Sequence, residues 1–366
     1  MKTAIVTSYD PLDFGNRLQN YAMHVLLSEL GLDCETLVPK QNTKTPFRKR
    51  KEQAARELFA SDPLEAQTRS PGIIRQIRFE DFEEQYLPVR KPDTLTFGPQ
   101  IAADYRWIVT GGDGVWDPHA RINLGKTENN LLAFARSGQR ICLAPTVETD
   151  RIPDHMYELY HEQWNRFPWL NVRSREDARL IHKVTGRDAL LMEDPILLVD
   201  PSVWRSVMAP LPGMEEQDQS CLAWITDPAA LPEHPEELWG VDADQICWLG
   251  CRESGVVSTA GPRELLYLMQ QATVVMTDSY FGAVLALVLG KPFFFLRASG
   301  NGQLVQERKV RDMLQIRDVS WTETSHGIRV SGEEKETAES LARKKESMDL
   351  LRQMFRLETE KTGKEG

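Results

Sequence analysis

The chain has 366 residues, a length that suits two domains, and 41% hydrophobic against 27% charged residues, the balance of an ordinary soluble globular protein. Long disorder and a collagen-like fold are excluded, and a chain of this size buries large cores without disulfides or metals. With 44 basic and 54 acidic side chains the formal charge is −10, which argues against general nucleic-acid binding but leaves room for a local cationic pocket for a small anion. Five cysteines, Cys34, Cys142, Cys221, Cys247 and Cys251, are odd in number and widely spaced. They do not form a disulfide framework and suit a reducing compartment. Cys247 and Cys251 lack the second pair of a zinc site, so no metal is expected. Met1 to Thr7 reads as a strand rather than a signal peptide, and no apolar run approaches the ~18 residues of a membrane span. A cytoplasmic protein without an integral membrane segment is the expectation.

In chain order, Ile5-Val6 opens as a strand and a loop follows from Tyr9 to Arg17. Leu18, Tyr21, Ala22, Val25, Leu26 and Leu30 then recur at helical spacing, and Gly31 ends that helix. Cys34 to Val38 is the next strand, completing a β-loop-α-β unit. Residues 40–72 carry the basic run Phe47 to Lys51 followed by a mixed helical stretch and read as a solvated insertion or mobile loop, and Phe79-Glu80-Asp81-Phe82 then opens an amphipathic segment. Strands are expected at Trp107–Thr110, Arg140–Ala144, Asn171–Ser174 and Ala189–Met192, with a helix over Glu176–Thr185. Residues 201–219 are rich in proline, glycine and acid and read as an interdomain linker. A second α/β set follows, with strands at Ser220–Ile225, Gln245–Leu249, Val274–Thr277 and Pro292–Leu296 and a buried helix at Gly282–Leu289. The tail reads as a highly charged helix with one stripe at Leu341, Met348, Leu351 and Phe355. The expected layout is therefore an N-terminal α/β domain over 1–200 with an insertion near 40–90, a linker over 201–219, a C-terminal α/β domain over 220–330 and a charged helix over 331–366. No internal repeat is present.

Ligands of open parallel sheets sit at the carboxyl ends of strands, which directs attention to four loops. Gly15, Asn16, Arg17 and Gln19 lie where a strand passes into a helix N-terminus, which suits either an anion or a simple turn capped by Asn16. Gly111-Gly112-Asp113-Gly114-Val115-Trp116 allows close backbone approach; Asp113 could accept from a hydroxyl and Trp116 could face a sugar, or the segment is a plain tight turn. Ser174-Arg175-Glu176-Asp177 combines a helix cap with an arginine that suits a phosphate, a carboxylate or a structural ion pair. Thr277-Asp278-Ser279-Tyr280-Phe281-Gly282 opens the buried helix; Ser279 is a cap or a ligand donor, and Phe281 reads as packing.

Together these loops resemble the polysaccharide pyruvyl transferase family. The family's Tyr-Gly-Asn/Ala-x-Leu-Gln-x-Tyr-Ala-Leu appears as Phe14 to Met23, and its Gly-Ser-Asp-Gln-Val-Trp as Gly111 to Trp116. Its Ser-Val-Arg-Glu corresponds to Arg173 to Glu176 and its Asp-Pro-Thr-Leu-Leu to Asp194 to Leu198. Gly261 to Leu268 matches Gly-Pro-x-Glu-Phe-Leu-x-Leu, and Thr277 to Gly282 matches Thr-x-Ser-Phe-His-Gly, with Gly290-Lys291-Pro292 behind it. Six matches in order span residues 3 to about 297. The resemblance implies two Rossmann-like domains facing across a cleft, as in GT-B glycosyltransferases, and transfer of pyruvate from phosphoenolpyruvate to a pair of sugar hydroxyls as a ketal. It implies a small-molecule donor, a carbohydrate acceptor and no cofactor beyond the donor. On this reading Arg175 and Arg17 clamp the donor, Arg175, Asp113 and Ser279 act in catalysis, and Gly15, Asn16, Gln19, Gly111, Gly112, Trp116, Glu176, Tyr280, Phe281 and Gly282 line the substrate site. Two positions depart from the pattern. Phe281 replaces the histidine and Gly114 the glutamine. Phenylalanine cannot move a proton, and loss of an acid/base group costs about 10²–10⁴ in rate. His119 is one substitute, or a surface histidine. The alternatives are a non-catalytic partner of glycan assembly on the same fold, or a transferase with another donor such as a nucleotide sugar.

Overall fold

A computed structural model describes residues 1–40, 46–214, 220–238, 240–250, 255–297, 301–332 and 337–356. Its N-terminal half is built on β1 (Lys2–Val6), β2 (Cys34–Leu37), β3 (Val89–Arg90), β4 (Tyr105–Gly111) and β5 (Arg140–Leu143). These five pair in parallel in the order β3-β2-β1-β4-β5. The strand order reverses between β1 and β4, so the loops after these two strands diverge and leave a crevice. Beside β5, β6 (Asn171–Val172) and β7 (Leu190–Leu191) form a short parallel pair. Asn171 ties it in, accepting from the Ala144 amide at 2.8 Å and donating to the Cys142 carbonyl at 2.6 Å.

The second sheet contains β8 (Cys221–Ile225), β9 (Ile246–Gly250), β10 (Val274–Thr277), β11 (Phe293–Leu296), β12 (Thr322–Thr324) and β13 (Gly327–Val330). Its order is β12-β13-β11-β10-β8-β9, parallel except for the β12-β13 hairpin, which adds antiparallel to β11. Strands β8, β10 and β11 are buried at every residue, as their unbroken apolar runs require when helices cover both faces. The reversal here lies between β8 and β10. The chain is thus an α/β protein of two Rossmann-like halves in a GT-B-like arrangement. One apolar core runs through both halves, from Leu18 and Leu26 of the first helix (Phe14–Glu29) to Ala283 and Leu285 of the helix Tyr280–Val288.

Three segments differ from expectation. Residues 46–86 are three helices, Pro46–Ser61, Pro63–Arg69 and Pro71–Tyr86, so the helical stretch is present, as a packed insertion rather than a mobile loop; residues 41–45 lie outside the described residues. Ala55, Ala66, Ile74 and Ile77 give them a small core of their own. Arg78 of the third helix reaches the other half, donating to the Thr259 carbonyl at 2.9 Å and to its Oγ1 at 2.6 Å. Of the expected linker, 201–214 is packed: Pro201–Ser206 is helical, Trp204 is fully buried against Tyr21 at 5.5 Å, and Leu211 is buried too. Residues 215–219, and Cys251 of the cysteine reading, lie outside the described residues. A polar composition hid one large aromatic, and burying such a side chain is worth about 1.5–3 kcal/mol. The terminal helix Ala338–Met354 is present as expected, but it crosses back to the N-terminal half. Phe355 packs edge-on to Trp107 at 5.3 Å, and Asn171 donates to Met354 Sδ. Of its expected stripe, Leu351 and Phe355 are buried while Leu341 is half exposed. Helix Asn301–Ile316 has no counterpart in the sequence reading.

Candidate functional site

The loops after β1, β4, β6 and β10 converge between the halves, and one side of that junction is dry. Asp13, not Asn16, caps the first helix, accepting from the Asn16 amide at 2.7 Å. Asn16 instead accepts from the Asp10 amide. Gly15 follows, and a Cβ there would stand 2.0 Å from Cδ2 of Phe281. The Phe281 ring therefore lies directly on the Gly15 backbone. Phe14 meets Trp224 of β8 edge-on at 5.7 Å, extending the aromatic contact between the halves. Arg17 is 1% exposed; it pairs with Glu83 at 2.8 Å and lies over the Tyr9 ring. Its charge is spent inside the fold, so it is not the free donor clamp expected of it.

On the other side the junction is polar. Gly111 has the Leu143 carbonyl 2.2 Å from where its Cβ would be, and Gly112 adopts φ +109°, so the loop can turn only with glycines. The turn presents the Asp113 amide to Gln19 Oε1 at 2.6 Å and its carboxylate to Lys309 Nζ at 2.6 and 2.7 Å. Asp113 is therefore half of an ion pair across the halves, rather than an open acceptor. Trp116 points the other way. It is fully buried against Trp164 and Phe167, and its Nε1 donates to the Asn130 carbonyl, so it cannot face a sugar.

Arg173, at the end of β6, is the arginine the site uses. Its Nη1 pairs with Asp194 at 2.5 Å and Asp113 at 3.3 Å, and its Nε donates to the Ala144 carbonyl. Its Nη2 is buried without a hydrogen-bond partner. The Tyr280 hydroxyl donates to the same Asp194 oxygen at 3.2 Å. Lys309 reaches Glu148 as well, at 2.9 Å, and sits 4.5 Å from the Tyr280 ring centroid. Burial opposes the charges of Asp113 and Lys309, yet each is held ionised by its partners: Lys309 and Arg173 lower the Asp113 carboxyl, and Asp113 with Glu148 raises the ammonium. Burial and the neighbouring Asp113 push Glu148 up to about 7, and burial pushes Asp177 up to about 6. Glu148, Arg173, Asp177, Asp194, Tyr280 and Lys309 line a pocket between the halves that is partly open to solvent. Ser174, Arg308, Asp312 and, from the terminal helix, Arg343 and Ser347 also line it.

Of the expected site residues, Asp113, Gln19, Gly112 and Tyr280 enter this network. Arg175 does not: it is exposed and lines a separate shallow groove with Glu176, which pairs with Arg179. The two arginines are two apart; Arg173 leaves the strand inward, and Arg175 opens the helix Arg175–Thr185 outward. Ser279 occupies the N-cap position without a side-chain cap bond. Gly282 is small because Thr277 Oγ1 stands 2.2 Å from its Cβ position, so it serves packing beneath the site. His119 is exposed and does not line the pocket. Lys309, Glu148, Asp194 and Arg308 were missed as site residues; the only sequence signal for the cations is the Arg308-Lys309 pair within a charged run. Among the described residues no cluster of histidine, cysteine, aspartate or glutamate is arranged to hold a metal, and no helix is long and apolar enough to cross a membrane.

Two Rossmann-like sheets that meet at their strands' carboxyl ends, with a charged pocket between them, define a GT-B-like protein. The chain matches the polysaccharide pyruvyl transferase family over residues 13–300 and belongs to it. No curated protein sequence matches the chain. Similar solved structures include the UDP-GlcNAc 2-epimerase of Methanocaldococcus jannaschii in complex with UDP-GlcNAc and UDP, at 11% identity and TM-score 0.43 over 97% of this chain and 100% of that one. S. aureus MnaA in a co-structure with UDP gives 12% identity and 0.44 over 100% of both chains. The UDP-GlcNAc 2-epimerase of Neisseria meningitidis bound to UDP-GlcNAc gives 11% and 0.39 over 87% and 92%.

Proposed function

We propose that the protein transfers pyruvate from phosphoenolpyruvate to a pair of sugar hydroxyls in glycan biosynthesis, with the donor bound in the pocket between the halves and no further cofactor. The observation that carries this reading is Arg173: more than nine-tenths buried, lining the pocket, with Nη2 unsatisfied. A buried guanidinium edge without a partner is costly, and an anionic ligand relieves it. Arg308, which lines the same pocket, suits the second anionic group of a donor that carries both phosphate and carboxylate.

In the reaction the donor's methylene carbon gains a proton and its C2 becomes oxocarbenium-like. One sugar hydroxyl attacks C2, phosphate leaves, and the second hydroxyl closes the ketal. Two protons leave the sugar; in the balance one ends on the new methyl group and one on phosphate. Cations fixed around the donor stabilise the departing phosphate without reorganising. A second reading, a non-catalytic partner of glycan assembly on the same fold, is favoured by Phe281, which seals the place of the expected histidine against Gly15.

Calorimetry with phosphoenolpyruvate separates the two. Binding that is lost in both Arg173→Lys and Arg308→Ala supports the donor site. Absence of binding to the folded wild type at millimolar ligand sinks the pyruvyl transfer reading. A ligand at 100 times its dissociation constant adds about 2.7 kcal/mol of stability, visible as a thermal shift.

A further inference from the structure

The family's pattern departs here at two positions, and the structure connects both to a third residue. Phe281 removes a proton-transfer group from one side of the junction. Gly114 removes a side chain from the other, and the group nearest to the position of its missing Cβ is Glu148. A Cβ on Gly114 would stand 3.7 Å from the Glu148 carboxyl carbon, in ordinary van der Waals contact with it. Gly114 also holds φ +60°, a conformation that suits glycine.

Glu148 itself is held in place at a cost. Its backbone is left-handed, at φ +58°, a region an L residue rarely adopts. Such strain clusters at functional sites, where surrounding bonds over-determine it. Here Thr146 Oγ1 donates to Glu148 Oε1 at 3.0 Å, Lys309 Nζ donates to the same oxygen at 2.9 Å, and Thr146 is fixed in turn by the Gly114 amide at 2.6 Å. The carboxyl is 17% exposed and lines the pocket beside Arg173, Asp177, Arg308 and Asp312.

We infer that Glu148 is the general acid of this site, protonating the methylene carbon of phosphoenolpyruvate in place of the absent histidine. The inference rests on the proposed pyruvyl transfer. The Glu148 O–H bond breaks as the new C–H bond forms at C3, and the electron pair of the C2–C3 double bond makes that bond. The first sugar hydroxyl gives up its proton as it attacks C2, and that proton returns to Glu148. The second hydroxyl's proton departs with phosphate, so the acid is regenerated in each turnover. Asp113 and Glu148 lie within hydrogen-bonding reach and share Lys309, but Asp113 holds the lysine with both oxygens and keeps the charge. Two carboxyls driven apart in this way divide the roles of charge and acid between them. Asp177 and Asp312 are also raised, yet Asp177 is tied to Ser174 and Asp312 to Glu176.

The test uses the full chain with phosphoenolpyruvate, a panel of methyl hexopyranosides carrying free diols, and phosphate release as the readout. Glu148→Gln keeps size and shape, and a thermal melt confirms its fold. The expected result is intact phosphoenolpyruvate binding with turnover about 10²–10⁴-fold lower, the worth of a general acid. For the wild type, kcat should fall as pH rises through neutrality, because the acid must be protonated. Unchanged turnover in Glu148→Gln, a wild-type profile flat through neutrality, or donor binding without phosphate release on any sugar or water overturns the role of Glu148. Absence of donor binding in the wild type overturns the donor site itself, and the acid with it.

Discussion

The two sides of the junction between the halves are built on opposite principles. On one side Phe281 lies on Gly15 and Phe14 on Trp224, a dry aromatic contact with no proton to move. On the other, Asp113, Glu148, Arg173, Asp194 and Lys309 exchange ion pairs around a pocket. Apolar contact holds the halves together wherever it fits, whereas a buried charge network is stable only when every member is paired. The one unpaired atom of the network, Arg173 Nη2, is thus more informative than the whole aromatic contact.

The largest effect should come from Arg173→Met. It strands Asp194 and lessens the compensation of Asp113, and breaking a buried ion pair in this way costs about 3–5 kcal/mol. Urea denaturation measures the loss; a change below about 1 kcal/mol would show the network to be dispensable. On the aromatic side, Gly15→Ala should destabilise by about 1–3 kcal/mol, because its Cβ drives into a ring that must move. Phe281→Ala in the same chain should remove most of that penalty, and a double-mutant cycle reads the coupling. A smaller effect depends on pH. The folded-state carboxyl of Glu148 is raised to about 7, so as pH rises from 5 to 8 the unfolded chain releases this proton first and the folded state loses stability. Glu148→Gln lacks that loss. Its stability relative to wild type should therefore grow by about 2–3 kcal/mol over this range, and a pH-independent difference would refute the raised carboxyl. The smallest effect is expected at Arg175→Ala, within about 0.5 kcal/mol and without change in phosphoenolpyruvate binding, because this side chain is exposed and outside the pocket. Loss of binding in Arg175→Ala would reverse the assignment of the two arginines.

Much of the site was visible as loops and much less of it as residues. The glycine turn, the Asp194-Pro195 step and the entry to the buried helix are local features, and strand-end loops converge in any open parallel sheet. The choice between Arg173 and Arg175 was not local: both follow β6, and only the direction in which each leaves the strand separates them. Lys309 lies beyond the stretch that matches the family and on a helix whose charged sequence reads as solvated surface. Glu148 carries no motif, and its left-handed backbone is invisible in a sequence.

By itself the sequence determined the α/β alternation, the buried strands, and the family pattern with its two departures at Phe281 and Gly114, because periodicity and motif order are properties of neighbouring residues. The tertiary structure alone decided that Trp116 belongs to the core, that Arg17 is neutralised by Glu83, and that Lys309 reaches 196 residues back along the chain to Asp113. Ion pairing and burial depend on which distant surfaces meet, and that information appears only once the two sheets have packed.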